Sequence, residues 1–150
     1  MSKRVIAIAS DHAGFQLKQE LLAELAGLDA EVLDLGTHDQ ESVDYPDFGV
    51  ELAAAVADGR AGLGVLVCGT GIGIAIAANR NPAVRAAPCH NTTSTRLARQ
   101  HNDANVLALG ARTTGPEVAK DCLRVFLETS FEGGRHERRV AKLGNGAART

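Results

Sequence analysis

The sequence predicts an α/β protein, a three-layer, doubly wound, Rossmann-like fold around a five-stranded parallel sheet. Three observations carry that expectation. Short apolar runs of Val, Ile, Leu and Ala alternate with stretches of helical periodicity from one end of the chain to the other. The third apolar run, LGVLVCG, is uninterrupted, as in a parallel strand covered on both faces. Aromatic residues make up only 3% and Trp is absent, so the core must be aliphatic.

Each element follows in order. RVIAIAS (4–10) is the first strand. Phe15, Leu21, Leu22 and Leu25 recur at helical spacing in FQLKQELLAELAGL, so a helix follows and ends near Gly27. AEVLDLG (30–36) is the second strand, closed by glycine. The polar THDQESVDYPDFG loop leads to Pro46, which suits the first turn of a helix through VELAAAVADG. LGVLVCG (63–69) is the third strand, and GIAIAAN continues as a helix of small residues. VRAAPC (84–89) is the fourth, with Pro88 pointing to an edge position or a strand terminus. TTSTRLARQHN is helical, NVLALG (105–110) is the fifth strand, and GPEVAKDCLRVFLETS is the fifth helix. RHERRVAKL adds a short helix, and 144–150 is expected to be a flexible tail. No repeat or linker interrupts the alternation, so residues 1–150 are taken as a single domain.

Composition narrows the function. A net charge of −2 gives no electrostatic case for nucleic acid or a membrane surface. No run approaches the roughly 18–20 apolar residues of a membrane span. The N-terminal apolar run, Val5 to Ala9, is too short for a signal peptide and is cut by Asp11 and His12. A cytoplasmic protein is expected. Cys68, Cys89 and Cys122 are odd in number and form no CxxC pair, so reduced thiols are expected rather than a disulfide framework.

Chemistry-bearing residues gather at the ends of the expected strands, where ligands bind in such sheets. The first strand delivers Asp11 and His12, and the third delivers Cys68, Gly69, Thr70 and Gly71. The fourth delivers Cys89 and His90, and the fifth Gly110, Ala111 and Arg112. The glycine loop is not a dinucleotide cradle. Counted from Gly69 or from Gly71, the fingerprint needs a small residue where Ile74 or Ile76 stands. No acid follows about 20 residues on to hold a ribose. A Walker loop is excluded too, because no Gly-Lys-Ser/Thr follows. What remains is a nest of backbone N–H groups that favours anions, including a transient oxyanion. A thiol beside such a helix start is suited to act as a base or nucleophile.

SDHAGF (10–15), DYPDFG (44–49), VCGTGIGIAIAANR (67–80), RQHNDANVLALGAR (99–112) and FEGGRHERRV (131–140) resemble the ribose-5-phosphate isomerase B family, which also contains allose- and galactose-6-phosphate isomerases. The match runs from about Lys3 to Leu143 with all five motifs in order. The resemblance implies an aldose–ketose isomerase without metal or cofactor, a homodimer or dimer of dimers with its site between subunits. It implies Cys68 as the base that moves a proton, with Thr70 and the amides of Gly69, Gly71 and Gly73 holding enediolate oxygens. Some members carry a glutamate base further along the loop, but here that stretch reads Ile74, Ala75, Ile76. His101 in RQHN is favoured over His12 for ring opening, a task that suits a group titrating near neutrality. Asp11 and His12 are then left to contact sugar hydroxyls or phosphate, and Asn102 and Tyr45 to bind sugar oxygens.

A phosphate calls for arginine's fork of donors. Arg112 ends the fifth strand, and Arg135 and Arg139 stand i, i+4 on one helical face, so both could grip one dianion, in the partner's site on the family pattern. The substrate alternatives are allose 6-phosphate, galactose 6-phosphate or a tetrulose phosphate. A non-catalytic phosphosugar-binding module is the rival of a different class, and it predicts loss of the base or of an arginine. A zinc site from Cys68, Cys89, His90 and His101 is disfavoured because the residues lack short ligand spacing.

Overall fold

The computed structural model describes residues 3–144. Its strands are β1 (Arg4–Ser10), β2 (Ala30–Asp34), β3 (Leu63–Cys68), β4 (Ala86–Pro88) and β5 (Val106–Gly110). They form one sheet in the order β2-β1-β3-β5-β4, and every pairing is parallel. The helices are α1 (Phe15–Ala26), α2 (Tyr45–Ala57), α3 (Ile72–Ala78), α4 (Thr92–Asn102), α5 (Pro116–Glu128) and α6 (Arg135–Gly144).

The order of strands explains the three layers. From β1 to β2 and from β4 to β5 the chain steps one way across the sheet; from β2 to β3 and β3 to β4 it steps the other. Right-handed crossovers then put α1 and α4 on one face and α2 and α3 on the opposite one. Helix α5 joins α1 and α4. Strand alternation gives the two faces different contents. Ile6, Ile8, Val65, Val67, Leu107 and Leu109 meet Leu21, Leu25, Leu123 and Phe126 on the α1/α4/α5 side. Ala7, Ala9, Leu66, Val106 and Ala108 meet Leu52, Ile74 and Ala78 on the other.

Several ends differ from the sequence expectation, each for a local reason. Strand β2 stops at Asp34 rather than 36, because the Asp34 carboxylate accepts the Gly36 amide at 3.0 Å and turns the chain. Strand β4 spans 86–88 rather than 84–89. Its start is delayed because the Arg85 amide donates to the Asn105 side chain at 2.8 Å, and Pro88 ends it without an N–H. It is an edge strand as well as a short one. Helix α6 includes Gly144, the first residue of the expected tail. The remainder of that tail, 145–150, lies outside the described residues.

One polar contact under α1 fixes the β2 end of the sheet. The Lys18 side chain is fully buried, and its Nζ donates to Asp34 Oδ1 at 2.7 Å. That same oxygen holds Gly36, whose carbonyl accepts the Ser10 amide at 2.7 Å, just before Asp11. Removing the carboxylate leaves a buried ammonium unpaired. Asp34→Ala is therefore expected to cost about 3 kcal/mol of unfolding free energy, and adding Lys18→Met should return most of it. Urea unfolding of the single and double variants checks both signs.

Candidate active site

The register of the sheet builds the site. Ser10 pairs with Val67 and Cys68 with Gly110, so β1, β3 and β5 end at one level. From that level the chain leaves β1 toward α1 and β3 toward α3, on opposite faces, which opens a crevice between them. A cavity of about 520 Å³ occupies it. Asp11 and His12 come from the end of β1, Cys68, Gly69 and Thr70 from β3, and Arg112 from β5. Gly73, Ile72 and Ile76 of α3 and Tyr45 of α2 close the wall.

Cys68 sits at the floor, only 4% exposed, and its Sγ accepts the Gly71 amide at 3.2 Å. Gly71 makes this contact because its φ of +79° reverses the chain at the start of α3, a region that disfavours a side chain. A Cβ there would also come within 2.9 Å of the Leu109 backbone. Gly71 is thus buried behind the thiol and is not part of the cavity wall, unlike Gly69 and Gly73. Its amide is directed at sulfur, not at the opening. Thr70 accepts the Ile72 amide at 3.1 Å and is exposed at the mouth. Backbone bonds from Ala111 to Cys68 O and from Arg112 to Gly69 O, both 2.9 Å, lock the β3 and β5 loops together. Among the described residues no carboxylate pairs with Arg112.

His12 is oriented from the side away from the cavity. Its Nδ1 accepts the Val43 amide at 3.1 Å, which requires that nitrogen to be bare and assigns any proton on the neutral ring to Nε2. Asp11 is 6% exposed and accepts the Gly14 amide at 3.0 Å, holding the first turn of α1. Tyr45 packs its hydroxyl-bearing end closely against Gly73, where a Cβ would approach the ring to 2.5 Å. Sequence reasoning missed Ile72 and Ile76, which are about half exposed and line the cavity at i, i+4. That spacing was the available signal, masked by Gly73 and the buried Ile74 between them. The Val43 amide left no signal, since backbone donors carry no residue identity.

Cys89 and Cys122 are buried on the other side of the sheet, and burial pushes both thiols up from their ordinary range against the Thr95 hydroxyl, which favours their anions. His90 is exposed and does not line the cavity.

Four of the expected site residues are not brought to Cys68 by this chain. Helix α4 runs antiparallel to the strands, from the β4 end down to the start of β5, so its last residues His101 and Asn102 lie at the opposite edge of the sheet. Asn102 lines a separate hollow of about 350 Å³ with Arg85 and Leu143. Arg135 and Arg139 are exposed on α6, which packs on α4, and His136 stacks on His101 with ring centroids 4.5 Å apart. The expected set therefore divides into a thiol-containing cavity at one end and a His–Asn–Arg–Arg group at the other. Among the described residues, the metal-type side chains that converge are His101, Glu132 and His136.

A family model described as Ribose/Galactose Isomerase matches residues 6–143. The chain belongs to that family. Ribose-5-phosphate isomerase B of Escherichia coli is 48% identical over 138 residues, covering 92% of this chain and 93% of that one. D-erythrulose-4-phosphate isomerase of Pectobacterium atrosepticum is 43% identical over 140 residues, covering 93% and 92%. The solved structure of Clostridium thermocellum ribose-5-phosphate isomerase B superposes with a TM-score of 0.94 at 49% identity, over 96% of this chain and 97% of that one. The protein is thus an isomerase of the ribose-5-phosphate isomerase B type, within a family whose members carry more than one named substrate. Among the described residues no helix is long and apolar enough to cross a membrane.

Two measurements test this geometry. The isomerase has one tyrosine and no tryptophan, so its intrinsic fluorescence reports Tyr45 alone. Gly73→Ala should lift that ring off α3 and change its emission and quenching by iodide, while far-UV circular dichroism stays unchanged. Native protein should also alkylate at one thiol, Cys68, because it alone of the three faces the open cavity while Cys89 and Cys122 lie inside the other core layer with their thiols pushed up by burial, whereas urea should expose all three. Mass spectrometry of the labelled peptides distinguishes them.

Proposed function

We propose that this isomerase interconverts D-ribose 5-phosphate and D-ribulose 5-phosphate through a cis-enediolate. It acts in the cytoplasm, as a homodimer or dimer of dimers, with no metal or cofactor. The observation that carries the reading is the division of the site. A cavity with a thiol, an imidazole and a guanidinium stands at one end of the sheet, and the family's remaining polar residues stand at the other. Two copies packed so that one chain's α4–α6 end faces the other's cavity complete both sites.

Ring opening removes the proton from the anomeric hydroxyl and protonates the ring oxygen. His101 of one copy performs it, with Asp11 and His12 of the other binding sugar hydroxyls. The Cys68 thiolate then takes the proton from C2, the hydroxyl proton passes from O2 to O1, and the resulting thiol delivers its proton to C1. Thr70 and the amides of Gly69 and Gly73 hold the enediolate oxygens, while the Gly71 amide donates to the sulfur and fixes its position. Asn102 and Tyr45 bind sugar oxygens. Arg112 of one copy and Arg135 and Arg139 of the other neutralise the phosphate. The chain keeps the thiol and all three arginines, which counts against a non-catalytic binding module. The Pectobacterium relative, named for a tetrulose phosphate, favours erythrulose 4-phosphate as the second substrate to try.

Metal-stripped protein incubated with ribose 5-phosphate, erythrulose 4-phosphate and allose 6-phosphate should turn over the first with the highest kcat/KM. Cys68→Ala should lower kcat by about 10²–10⁴-fold, the usual contribution of a positioned base. Full activity in that variant would sink the mechanism. Mixing unfolded Cys68→Ala and His101→Ala chains and refolding them together should restore about a quarter of the wild-type sites, because each mixed dimer keeps one intact site. No gain on mixing would place both residues in one chain's site.

A further inference from the structure

At the end of the sheet opposite the cavity, three side chains of metal-binding type converge without touching. His101 Nε2 and Glu132 Oε1 are 4.0 Å apart, and Glu132 Oε1 and His136 Nε2 are 3.5 Å apart. All three ligand atoms fall within 4.8 Å of one another. The imidazoles stack with their planes 13° apart and present Nε2 to the same carboxylate. These separations are too long for hydrogen bonds. They are near what one tetrahedral ion demands, since bonds of about 2.0–2.2 Å put its ligand atoms about 3.3 Å apart.

We propose that His101, Glu132 and His136 form a site for a divalent transition cation of the zinc type, and that filling it inhibits the isomerase. Two imidazoles and one carboxylate are the donor set of open zinc sites, which leave the fourth position to water. The backbone already frames the three. The Glu132 amide donates to Gln100 O and the His136 amide to Gly133 O, both at 3.1 Å. His136 is the fixed member, 7% exposed. The side chains of His101 and Glu132 are 40% and 52% exposed, so the His101 ring can turn out of its stack on His136 to bring both Nε2 lone pairs onto one ion, and Glu132 can close the remaining gap of about 1 Å. Arg135 beside the site, and Arg139 a turn further along α6, oppose a bare cation, so binding is weaker than at a closed structural zinc site. The inhibitory half rests on the reading above that His101 opens the ring, because an ion on its Nε2 leaves the imidazole unable to exchange a proton there.

The test uses the full chain in its native assembly, stripped of metal. Titration with Co²⁺ should develop the intense visible bands of four- or five-coordinate cobalt, saturating at one ion per chain, and Zn²⁺ should displace it. Glu132→Gln should weaken binding at least about tenfold; Glu132 is half exposed, so the fold survives the change, whereas His136 is buried. Zn²⁺ should abolish isomerisation and EDTA should restore it. Absence of saturable binding overturns the site. So does binding that survives Glu132→Gln but disappears in Cys68→Ala, which would mark the thiol as the ligand. Saturation of one ion per chain with full activity retained would keep the site and overturn both its inhibitory role and the assignment of ring opening to His101.

Discussion

The site depends on the parallel register of β1, β3 and β5. A shift of one residue in any of these strands would exchange its two faces. The faces are not equivalent. Ile8, Val67 and Leu109 fill the space under α1 and α5, while Ala9 and Ala108 leave room for α2 and α3 to approach closely. Exchanging them would crowd one layer and hollow the other, so packing pins the register on both sides. With register fixed, Cys68 must face the α3 layer, and its sulfur must lie at the turn where Gly71 begins that helix. The chemistry at the cavity floor is set by aliphatic volume a strand's length away.

The loops above the sheet are held by backbone bonds and by side chains that accept nearby amides. The end of β1 is tied to Gly36 and Thr37, and the start of the β5 loop to Cys68 and Gly69. The Lys18–Asp34 pair anchors the first of these ties from within the core. Thr70 and Arg112 stand at the mouth, while the turns beneath them carry the mechanical load.

Most of the fold was legible in the sequence because each segment's periodicity agreed with its neighbours' turn residues. The doubly wound sheet and the edge position of β4 followed from apolar runs and from Pro88. Element ends were less legible, since Asp34 and Asn105 end or delay strands through side-chain bonds to amides that no periodicity records. For the site, strand ends identified Asp11, His12, Cys68, Gly69, Thr70 and Arg112, all of which line the cavity. Motif reasoning added His101, Asn102, Arg135 and Arg139, with the two arginines assigned to a partner's site, and helix α4 with α6 packed on it carries all four to the far end of this chain's sheet. Chemical suitability is visible residue by residue; which end of a helix a residue occupies relative to the sheet becomes visible only once strand order is known. Gly71 was legible as a glycine the turn needs, but its amide's direction toward sulfur depends on a single positive φ.

Both margins of the sheet are poor templates for strand addition. At one edge β2 is five residues long, with Glu31 exposed and Asp34 committed to Lys18. At the other, β4 offers three residues and ends in a proline that has no N–H to give. Both margins thus disfavour extension of this sheet by a second copy's backbone. Helix surfaces and the loops at the strand ends are left as the broader faces of the molecule, and there side-chain identity decides what can bind. The same blunted margins guard a sheet of Val, Leu and Ile against stacking edge to edge into fibres.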